Sequence, residues 1–302
     1  MTRPPGRLIR GSMLPVPALR AASVPPGGRP AASWHRPDYH PGVLVLLPPS
    51  EGKAAPTRGA PVDLSALSAS QLTQARERVL DELAAVSARP DGPQVLGVGA
   101  GVADEVGRNT TLRSAHAAPA AHLYTGVLYA AARLPELTGT ARRRAGQSVR
   151  IFSGLWGVLA PGDRVPAYRL SMGAALPGTG RLAPFWRDRL AEVLDGEASG
   201  DVVVDCRSAA YAAAWRPPRS AEHVVVQVVR EQDGRRQVVS HNAKHARGLL
   251  THHLLTRTGR PPRTAEQLAD AAGELAADGA VHAVELHDAA ARRRVLTLVE
   301  RA

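Results

Sequence analysis

Apolar runs alternate with segments of helical periodicity along the chain from residue 43 onward. The continuous apolar run Val43–Leu47 stops at Pro48-Pro49, which is typical of a buried central strand. Apolar positions at helical spacing predict an amphipathic helix over residues 72–86, and residues 116–134 are predicted to form a longer helix. Strands that alternate with helices in this way indicate an α/β fold.

Turn signals in the second half of the chain predict antiparallel strand pairs. Asp233-Gly234 lies between strands predicted at 223–229 and 235–240, and residues 281–286 and 294–299 are predicted to form a second hairpin. The other predicted elements are strands at 149–152 and 202–205, and helices at 185–194, 208–215, 244–257 and from Thr264 onward. The expected fold class is a single α/β (mixed α+β) domain in which helices surround a mixed β-sheet.

The first 42 residues differ from the rest of the chain. They contain the proline pairs Pro4-Pro5 and Pro25-Pro26, scattered arginines and no continuous apolar block. We therefore expect residues 1–42 to be a disordered extension, or upstream sequence from a misassigned start, and residues 43–302 to form the domain. No apolar stretch reaches the roughly 18 residues that span a bilayer, so no membrane partner is expected.

Cys206 is the only cysteine of the chain. A single cysteine excludes an internal disulfide and disfavours a cysteine-based zinc site. It indicates a reducing compartment, and the expected location is the cytoplasm. Because Cys206 follows a predicted strand and has no base assigned to it, we predict a buried structural thiol rather than a nucleophile.

Positive charge is carried almost entirely by arginine. The formal net charge is +11, and only two of the 38 basic side chains are lysines, Lys53 and Lys244. An ammonium is a compact point charge with an adjustable pKa, whereas a guanidinium is a fixed planar fork, so a lysine kept in such a chain is informative. An excess of positive charge also suits an anionic partner such as nucleic acid.

The loop after the first predicted strand combines Ser50, Glu51, Gly52 and Lys53. A hydroxyl, a flexible glycine and an ammonium on one turn can hold an anion together with backbone N–H groups. The loop is not a nucleotide-binding P-loop, because the pattern G-x-x-x-x-G-K-[ST] is absent. The alternative is an ordinary turn whose Glu51 and Lys53 face solvent.

Residues 154–182 are rich in glycine and proline and show little periodicity, which predicts a long functional connection. This connection presents Asp163, Tyr168 and Arg169 after a predicted strand, where α/β folds place their sites. In the alternative interpretation, Asp163 and Arg169 pair with each other and only hold the loop in shape.

The helix predicted from Lys244 carries a second cluster of basic groups. Lys244 and Arg247 are three residues apart and share a helix face, which would form a phosphate-facing ridge. His241 and His245 have the spacing of helical metal ligands, but the glutamate of H-E-x-x-H is missing and no carboxylate follows nearby. We therefore predict no metal site and no cofactor.

In their order along the chain, these segments resemble the YaaA family of bacterial proteins, also called DUF328 or UPF0246. The resemblance runs from Val43 to the C-terminus. Its strongest motifs are Pro49-Ser50-Glu51-Gly52-Lys53, Ser153-Gly154-Leu155-Trp156-Gly157, Asp163, Tyr168-Arg169-Leu170, and Ala243-Lys244 with Ala246-Arg247-Gly248. Weaker matches are Tyr124-Thr125-Gly126, Tyr129, Ser208 and Tyr211.

The chain departs from the family pattern at several positions. An acid usually follows the glycine where this chain has Gly126-Val127, and His245 stands where a second lysine is usual. Ser171 replaces a common glutamate and Ala160 a common arginine. A cluster built from those groups would be altered in this chain. The retained residues are Lys53, Asp163, Tyr168, Arg169, Lys244 and Arg247.

The resemblance implies a role in protection against hydrogen peroxide, through limiting free iron and oxidative DNA damage. It also implies a positively charged cleft that binds DNA and a helix-hairpin-helix-like element, here near residues 95–107. In that element Gly97 and Gly99 would let backbone N–H groups approach a phosphate without reading sequence. A tight turn between a strand and a helix would use glycine as well.

Two hypotheses about function follow. The first is a peroxide stress protein that binds DNA nonspecifically. Its expected DNA- or anion-binding residues are Ser50, Lys53, Gly97, Gly99, Arg169, Lys244 and Arg247. The alternative is an enzyme that acts on a nucleotide or another phosphorylated small molecule. Its catalytic candidates are Lys53, Asp163, Tyr168 and Lys244. A structural or iron-handling protein without a ligand of its own ranks last.

Overall fold

The computed structural model describes residues 42–232, 235–238, 242–289 and 293–301. Residues 1–41 of the extension expected over 1–42, the turn Asp233-Gly234 and His241 lie outside these ranges. The expectations for those segments therefore stay predictions.

A mixed eight-stranded sheet forms the centre of the described domain. The strands, in chain order, are β1 (Val43–Leu47), β2 (Ala118–Pro119), β3 (Val149–Ser153), β4 (Gly157–Leu159), β5 (Arg164–Val165), β6 (Ala175–Leu176), β7 (Gly180–Arg181), β8 (Val202–Asp205), β9 (Glu222–Gln232), β10 (Arg235–Val238), β11 (Ala283–Asp288) and β12 (Arg294–Arg301). The order across the large sheet is β11-β12-β9-β8-β1-β3-β4, and β10 pairs with β9. The pairs β2-β5 and β6-β7 form two small sheets.

The five consecutive strands β12, β9, β8, β1 and β3 run parallel to one another. In β1, Val45 lies opposite Val149 of β3 on one side and Val204 of β8 on the other. All five residues of Val43–Leu47 are buried, as the unbroken apolar run predicts for a strand covered on both faces. Strands β4, β10 and β11 are antiparallel to their neighbours, which makes the sheet mixed.

Helices of very different lengths accompany the sheet. They are α1 (Thr73–Ser87), α2 (Gly92–Val95), α3 (Ala103–Gly107), α4 (Ala120–Leu123), α5 (Val127–Ala132), α6 (Gly139–Ser148), α7 (Leu182–Ala198), α8 (Ala209–Ala212), α9 (Asn242–Thr256) and α10 (Ala265–Ala277). Short 3-10 segments include Leu64–Ala66, Ser70–Leu72, Ala100–Val102, Arg108–Thr111 and Leu134–Glu136. Helix α9 packs on β9 and contacts α5, α6 and α10, so it organises one group of helices.

Most of the elements predicted from the sequence are present, and the mixed α/β fold class is confirmed. The amphipathic helix predicted over 72–86 is α1, and the hairpin predicted around Asp233-Gly234 is the antiparallel pair β9-β10. The predicted C-terminal hairpin is β11-β12. The helix predicted from Thr264 onward is α10, and the Thr264 side chain caps it by accepting a hydrogen bond from the Gln267 N–H.

The prediction of one long helix over residues 116–134 is wrong. This segment contains β2, α4 and α5, and an extended stretch at Tyr124 separates the two helices. Tyr124 forms an antiparallel bridge with Lys53, and Gly126 has a φ of +97°, which only glycine adopts readily. Hydrogen bonds to the distant loop after β1 therefore replace the helical ones that local periodicity predicted.

No helix within the described ranges is long and apolar enough to cross a bilayer.

The contact between α9 and α5 depends on a glycine at position 248. A Cβ atom added at Gly248 would lie 2.3 Å from the Leu128 carbonyl oxygen, whereas one added at Gly146 of α6 would meet open space. An alanine normally stabilises a helix interior by about 0.5–1 kcal/mol relative to glycine. We predict that Gly146→Ala stabilises the protein by that amount, whereas Gly248→Ala destabilises it by about 2 kcal/mol through overpacking. Urea unfolding measures both, and an unchanged stability of Gly248→Ala would contradict the packing of α9 on α5.

Candidate functional site

Parallel pairing brings several loops to one edge of the sheet. The carboxyl ends of β1, β3 and β8 are adjacent, because β1 pairs in parallel with both β3 and β8. The Ser50–Lys53 loop follows β1, Ser153 ends β3, and Arg207 follows β8. Open α/β sheets place their ligands at this edge. The candidate site is the cluster that these loops form around Lys53.

The Lys53 ammonium is held inside this cluster by carbonyl and aromatic groups. Its Nζ donates to the Ser50 carbonyl oxygen at 2.9 Å and lies 3.4 Å from the Glu51 carbonyl oxygen. The same atom lies 4.5 Å from the ring centroid of Tyr168 and 5.7 Å from that of Tyr124. A cation over an aromatic face is stabilised by the ring quadrupole, so the side chain has one defined position. Of the alternative turn with Glu51 and Lys53 facing solvent, the part about Glu51 is present, but Lys53 is turned toward the tyrosine rings.

The tyrosines beneath Lys53 form a buried hydrogen-bond chain. The Tyr168 hydroxyl is 2.6 Å from Ser153 Oγ and 2.9 Å from the Tyr124 hydroxyl. Tyr129 packs on Tyr124, with ring centroids 5.3 Å apart, and donates to the Pro48 carbonyl oxygen. Burial raises the pKa of these phenols, so they stay protonated at neutral pH.

Arg169 adds a second cation whose charge is shared with two carboxylates. Its guanidinium lies 3.2 Å from Glu105 of α3 and 3.7 Å from Glu51, which is almost fully exposed. The negative charges of the two carboxylates also favour the protonated form of Lys53. The cleft around Lys53 is therefore close to charge-balanced rather than uniformly basic.

Burial and a neighbouring cation change the acidity of Lys53. Removal of water from the ammonium, together with the positive charge of Arg169, lowers its pKa from 10.5 to about 8, although Glu105 and Glu51 oppose the change. A substantial fraction of the amine is consequently neutral just above neutral pH. Neutral lysines are nucleophiles and bases, so the environment of Lys53 suits chemistry as well as binding.

Asp163 is placed in the wall of the site rather than in the cleft. Its buried carboxylate accepts hydrogen bonds from the Ser68 N–H, the Ser68 hydroxyl and the Ala160 N–H. Arg76, also buried, donates to the carbonyl oxygens of Ser68 and Trp156 in the same region. Asp163 thus joins two distant loops, and it does not form the pair with Arg169 that one sequence interpretation expected.

Lys244 and Arg247 lie at the start of α9 but differ in their surroundings. Lys244 is exposed and makes no hydrogen bond or ion pair with the described residues. Arg247 donates through Nε and Nη2 to the Val226 carbonyl oxygen of β9, so its guanidinium holds α9 on the sheet. Helix α9 packs on α5. Gly126, which precedes α5, lies next to the Lys53 loop, because a Cβ atom added there would be 2.9 Å from Ser50 Oγ.

The element expected near residues 95–107 consists of two short helices joined by an exposed glycine turn. The turn lies between α2 and α3, and Gly97 has a φ of +67°. A Cβ atom added at Gly97 or Gly99 would meet nothing within 4 Å, so there is space beside the backbone. The Gly97 and Val98 N–H groups already donate to the carbonyl oxygens of Gln94 and Pro93. Through Glu105, α3 also contacts Arg169 of the candidate site.

Several members of the site were not among the candidates chosen from the sequence. They are Tyr124, Tyr129, Ser153, Glu105 and Tyr211, whose hydroxyl accepts from the Met172 N–H. Four of the five tyrosines of this aromatic-poor chain meet here. All four stand in motifs of the family resemblance, which was the available signal.

A buried charged group lies next to the site at the end of β8. Arg207 makes a bidentate contact with Asp205, and His223 Nε2 lies 3.0 Å from the same carboxylate. Although burial alone would raise the pKa of Asp205, the Arg207 guanidinium holds it well below its usual range. Between them, Cys206 is buried as predicted, and burial raises the pKa of its thiol to about 12.

Within the described ranges, no group of three or more His, Cys, Asp or Glu side chains could hold a metal ion.

Together the fold and the site define a mixed α/β protein with a lysine and tyrosine cluster at the carboxyl edge of a parallel sheet. The profile of the family described as "Peroxide stress protein YaaA" matches residues 43–274. The chain belongs to this family.

Similarity to individual relatives covers most of the chain. A UPF0246 protein of Streptomyces coelicolor is 47% identical over 237 residues, which is 77% of this chain and 90% of the relative. One from Corynebacterium efficiens is 38% identical over 85% of this chain and the full length of the relative. One from Corynebacterium glutamicum is 37% identical over 76% of this chain and 93% of the relative.

The hydrogen bonds of Asp163 predict a structural contribution. An amide in its place would turn an NH₂ group toward donors, so Asp163→Asn should lower the free energy of unfolding by about 2–3 kcal/mol. The exposed Asp188 is a matched control, and Asp188→Asn should change stability by less than about 0.5 kcal/mol. Equilibrium urea unfolding provides both values. A variant at Asp163 that keeps wild-type stability would show that the carboxylate does not hold the loops together.

The environment of Lys53 predicts a distinctive titration. With ¹³C-labelled lysine, one of the two lysine signals should titrate with a midpoint near pH 8, and Arg169→Gln should move that midpoint upward by removing a positive charge. Because the folded protein binds this proton less tightly than the unfolded chain, Lys53 disfavours folding below pH 8, and the penalty is relieved as the pH rises to 10.5. Midpoints near 10.5 for both signals would contradict the enclosed position of Lys53.

Proposed function

We propose that the protein acts in protection against peroxide stress by binding DNA nonspecifically and limiting iron-linked oxidative damage to it. The description of the matched family supports the stress role. The exposed turn between α2 and α3 is the observation that carries the DNA-binding part of the proposal.

A phosphodiester backbone can approach this turn closely. Apart from its chain neighbours, nothing lies within 4 Å of a Cβ atom added at Gly97, Gly99 or Gly101, so a phosphate has space to approach the backbone there. Contacts of this kind position a protein on DNA and carry no sequence information. Binding through the turn would therefore be nonspecific.

Lys244 is the second part of the proposed DNA surface. Its side chain is exposed at the start of α9, where it can neutralise a phosphate. The other predicted phosphate contacts are weaker candidates, because Arg247 already donates to a carbonyl oxygen and Arg169 is near two carboxylates. Lys53 is enclosed by tyrosine rings and would reach only a group that enters the cleft.

The alternative is an enzyme that acts on a nucleotide or another phosphorylated small molecule. The lowered pKa of Lys53 favours it, since a residue that only binds phosphate gains from a permanent positive charge. The hydrogen-bonded hydroxyls of Ser153, Tyr124 and Tyr168 could orient such a ligand.

Electrophoretic mobility shift tests DNA binding. We expect the full-length protein to bind duplex DNA at low salt, and Lys244→Ala to reduce the affinity by about threefold to tenfold and the salt slope by about 0.9. Arg143→Ala is the matched control, because it also removes one exposed cation. Arg144 beside it contacts the carbonyl oxygens of Arg257 and Gly259, at the far end of α9 from Lys244.

The control variant should bind within about twofold of the wild type if phosphate contact is localised near Lys244. Equal losses in the two variants would indicate a diffuse charge effect. Absence of a shift with any DNA form at low salt would refute DNA binding.

A further inference from the structure

Lys53 lacks the partner that an ordinary enclosed lysine has. Within the described ranges, no carboxylate lies within ion-pairing distance of its Nζ, which contacts only carbonyl oxygens and aromatic rings. Among the charged groups around Lys53, Arg169, another cation, has the largest effect on its pKa. Loss of water and a neighbouring cation are the two conditions that activate a lysine as a nucleophile.

The side chain is also reachable. Lys53 keeps partial exposure, and its contact with the Glu51 carbonyl oxygen is on the solvent side of the loop. The Glu51 side chain is 87% exposed, and its carboxylate lies 3.7 Å from Arg169. An ion pair this exposed contributes little to the stability of the fold. An anionic ligand can displace this carboxylate from Arg169 and bring its own reactive group to the lysine.

We propose that Lys53 is a nucleophile that forms an imine with an aldehyde on a phosphorylated ligand, which Arg169 holds by its phosphate. With the proposed DNA-binding function, on which this part of the inference rests, the ligand is the open-chain sugar of an abasic site in DNA. A free sugar phosphate presents the same chemistry.

The condensation needs no co-reactant. The neutral Lys53 amine attacks the carbonyl carbon, and a carbon–nitrogen bond forms as the carbonyl π electrons move to oxygen. The two amine hydrogens leave with that oxygen as water, which gives the neutral imine. Uptake of one proton then gives the iminium ion, and hydrolysis reverses every step.

The aromatic floor of the cleft fits each stage. The iminium ion retains the positive charge of the former ammonium 4.5 Å from the Tyr168 ring centroid, where a cation is stabilised. The hydroxyls of Tyr168, Tyr124 and Ser153 stay protonated and can donate hydrogen bonds to an oxygen of the ligand. Simple phosphate binding would not require the amine to lose its charge.

Reductive trapping tests the inference on the full-length protein. Borohydride converts an imine to a stable amine, and the chain offers only Lys53, Lys244 and the N-terminus as primary amines. The two probes are a duplex with a single abasic site and ribose 5-phosphate. A duplex carrying a tetrahydrofuran abasic analogue and ribose without phosphate are the matched blanks. Intact mass and peptide mapping locate the adduct.

We expect an adduct on the peptide containing Lys53 with at least one probe and with neither blank. Lys53→Arg keeps the positive charge but cannot form an imine, so it should reduce trapping by at least about 20-fold. Arg143→Lys supplies an ordinary surface lysine as a control, and the adduct should remain on Lys53. In the wild type, the trapping rate should rise with pH and level off above about 8.

The two probes separate the sources of the aldehyde. Trapping of the abasic duplex assigns the site to damaged DNA, and trapping of ribose 5-phosphate alone assigns it to a small molecule. No adduct with either probe, an adduct mapped to Lys244 or the N-terminus, or a rate that keeps rising to pH 10 overturns the inference. The pH profile decides the question even if Lys53→Arg fails to fold.

Failure of this inference and failure of DNA binding give different results. A mobility shift with intact duplex and no trapped adduct would leave DNA binding in place and refute the nucleophile. A trapped sugar phosphate without any mobility shift would support the nucleophile and refute DNA binding.

Discussion

The parallel pairing of β1 with both β3 and β8 is the constraint on which the site depends. Parallel strands end at the same edge of a sheet, so the loops after these strands must meet there. The Ser50–Lys53 loop consequently lies against Ser153 and Tyr168, which are more than 90 residues away in sequence. Any change of strand order would separate Lys53 from the aromatic rings that define its position.

The cleft differs from a simple basic groove because burial and charge act in opposite directions on its groups. Removal of water disfavours the Lys53 ammonium, and Arg169 adds repulsion, while Glu51 and Glu105 restore part of the lost stabilisation. Lys244, in contrast, is exposed at the surface and forms no ion pair with the described residues. In the functions proposed above, contact with a polyanion and reaction with a small group involve different lysines.

The local pattern of apolar residues predicted secondary structure correctly wherever an element is stabilised by its own apolar periodicity. The apolar run Val43–Leu47 and the helix Thr73–Ser87 both formed where their sequences predict them. It failed over residues 116–134, because the bridge between Lys53 and Tyr124 competes with helical hydrogen bonds there. Asp163 shows the same limit, since its partner Ser68 lies 95 residues away.

By itself the sequence determined the mixed α/β class, the resemblance to the YaaA family and the two lysines as candidates. The fold class and the choice of lysines rest on local periodicity and composition, and the resemblance rests on the order of short motifs. A linear chain displays all three. Only the tertiary structure decided that Lys53 is enclosed and Lys244 exposed. The pKa of an amine depends on how many water molecules it loses and which charges approach it. Those charges and rings come from distant segments, such as the one that carries Tyr168 and Arg169.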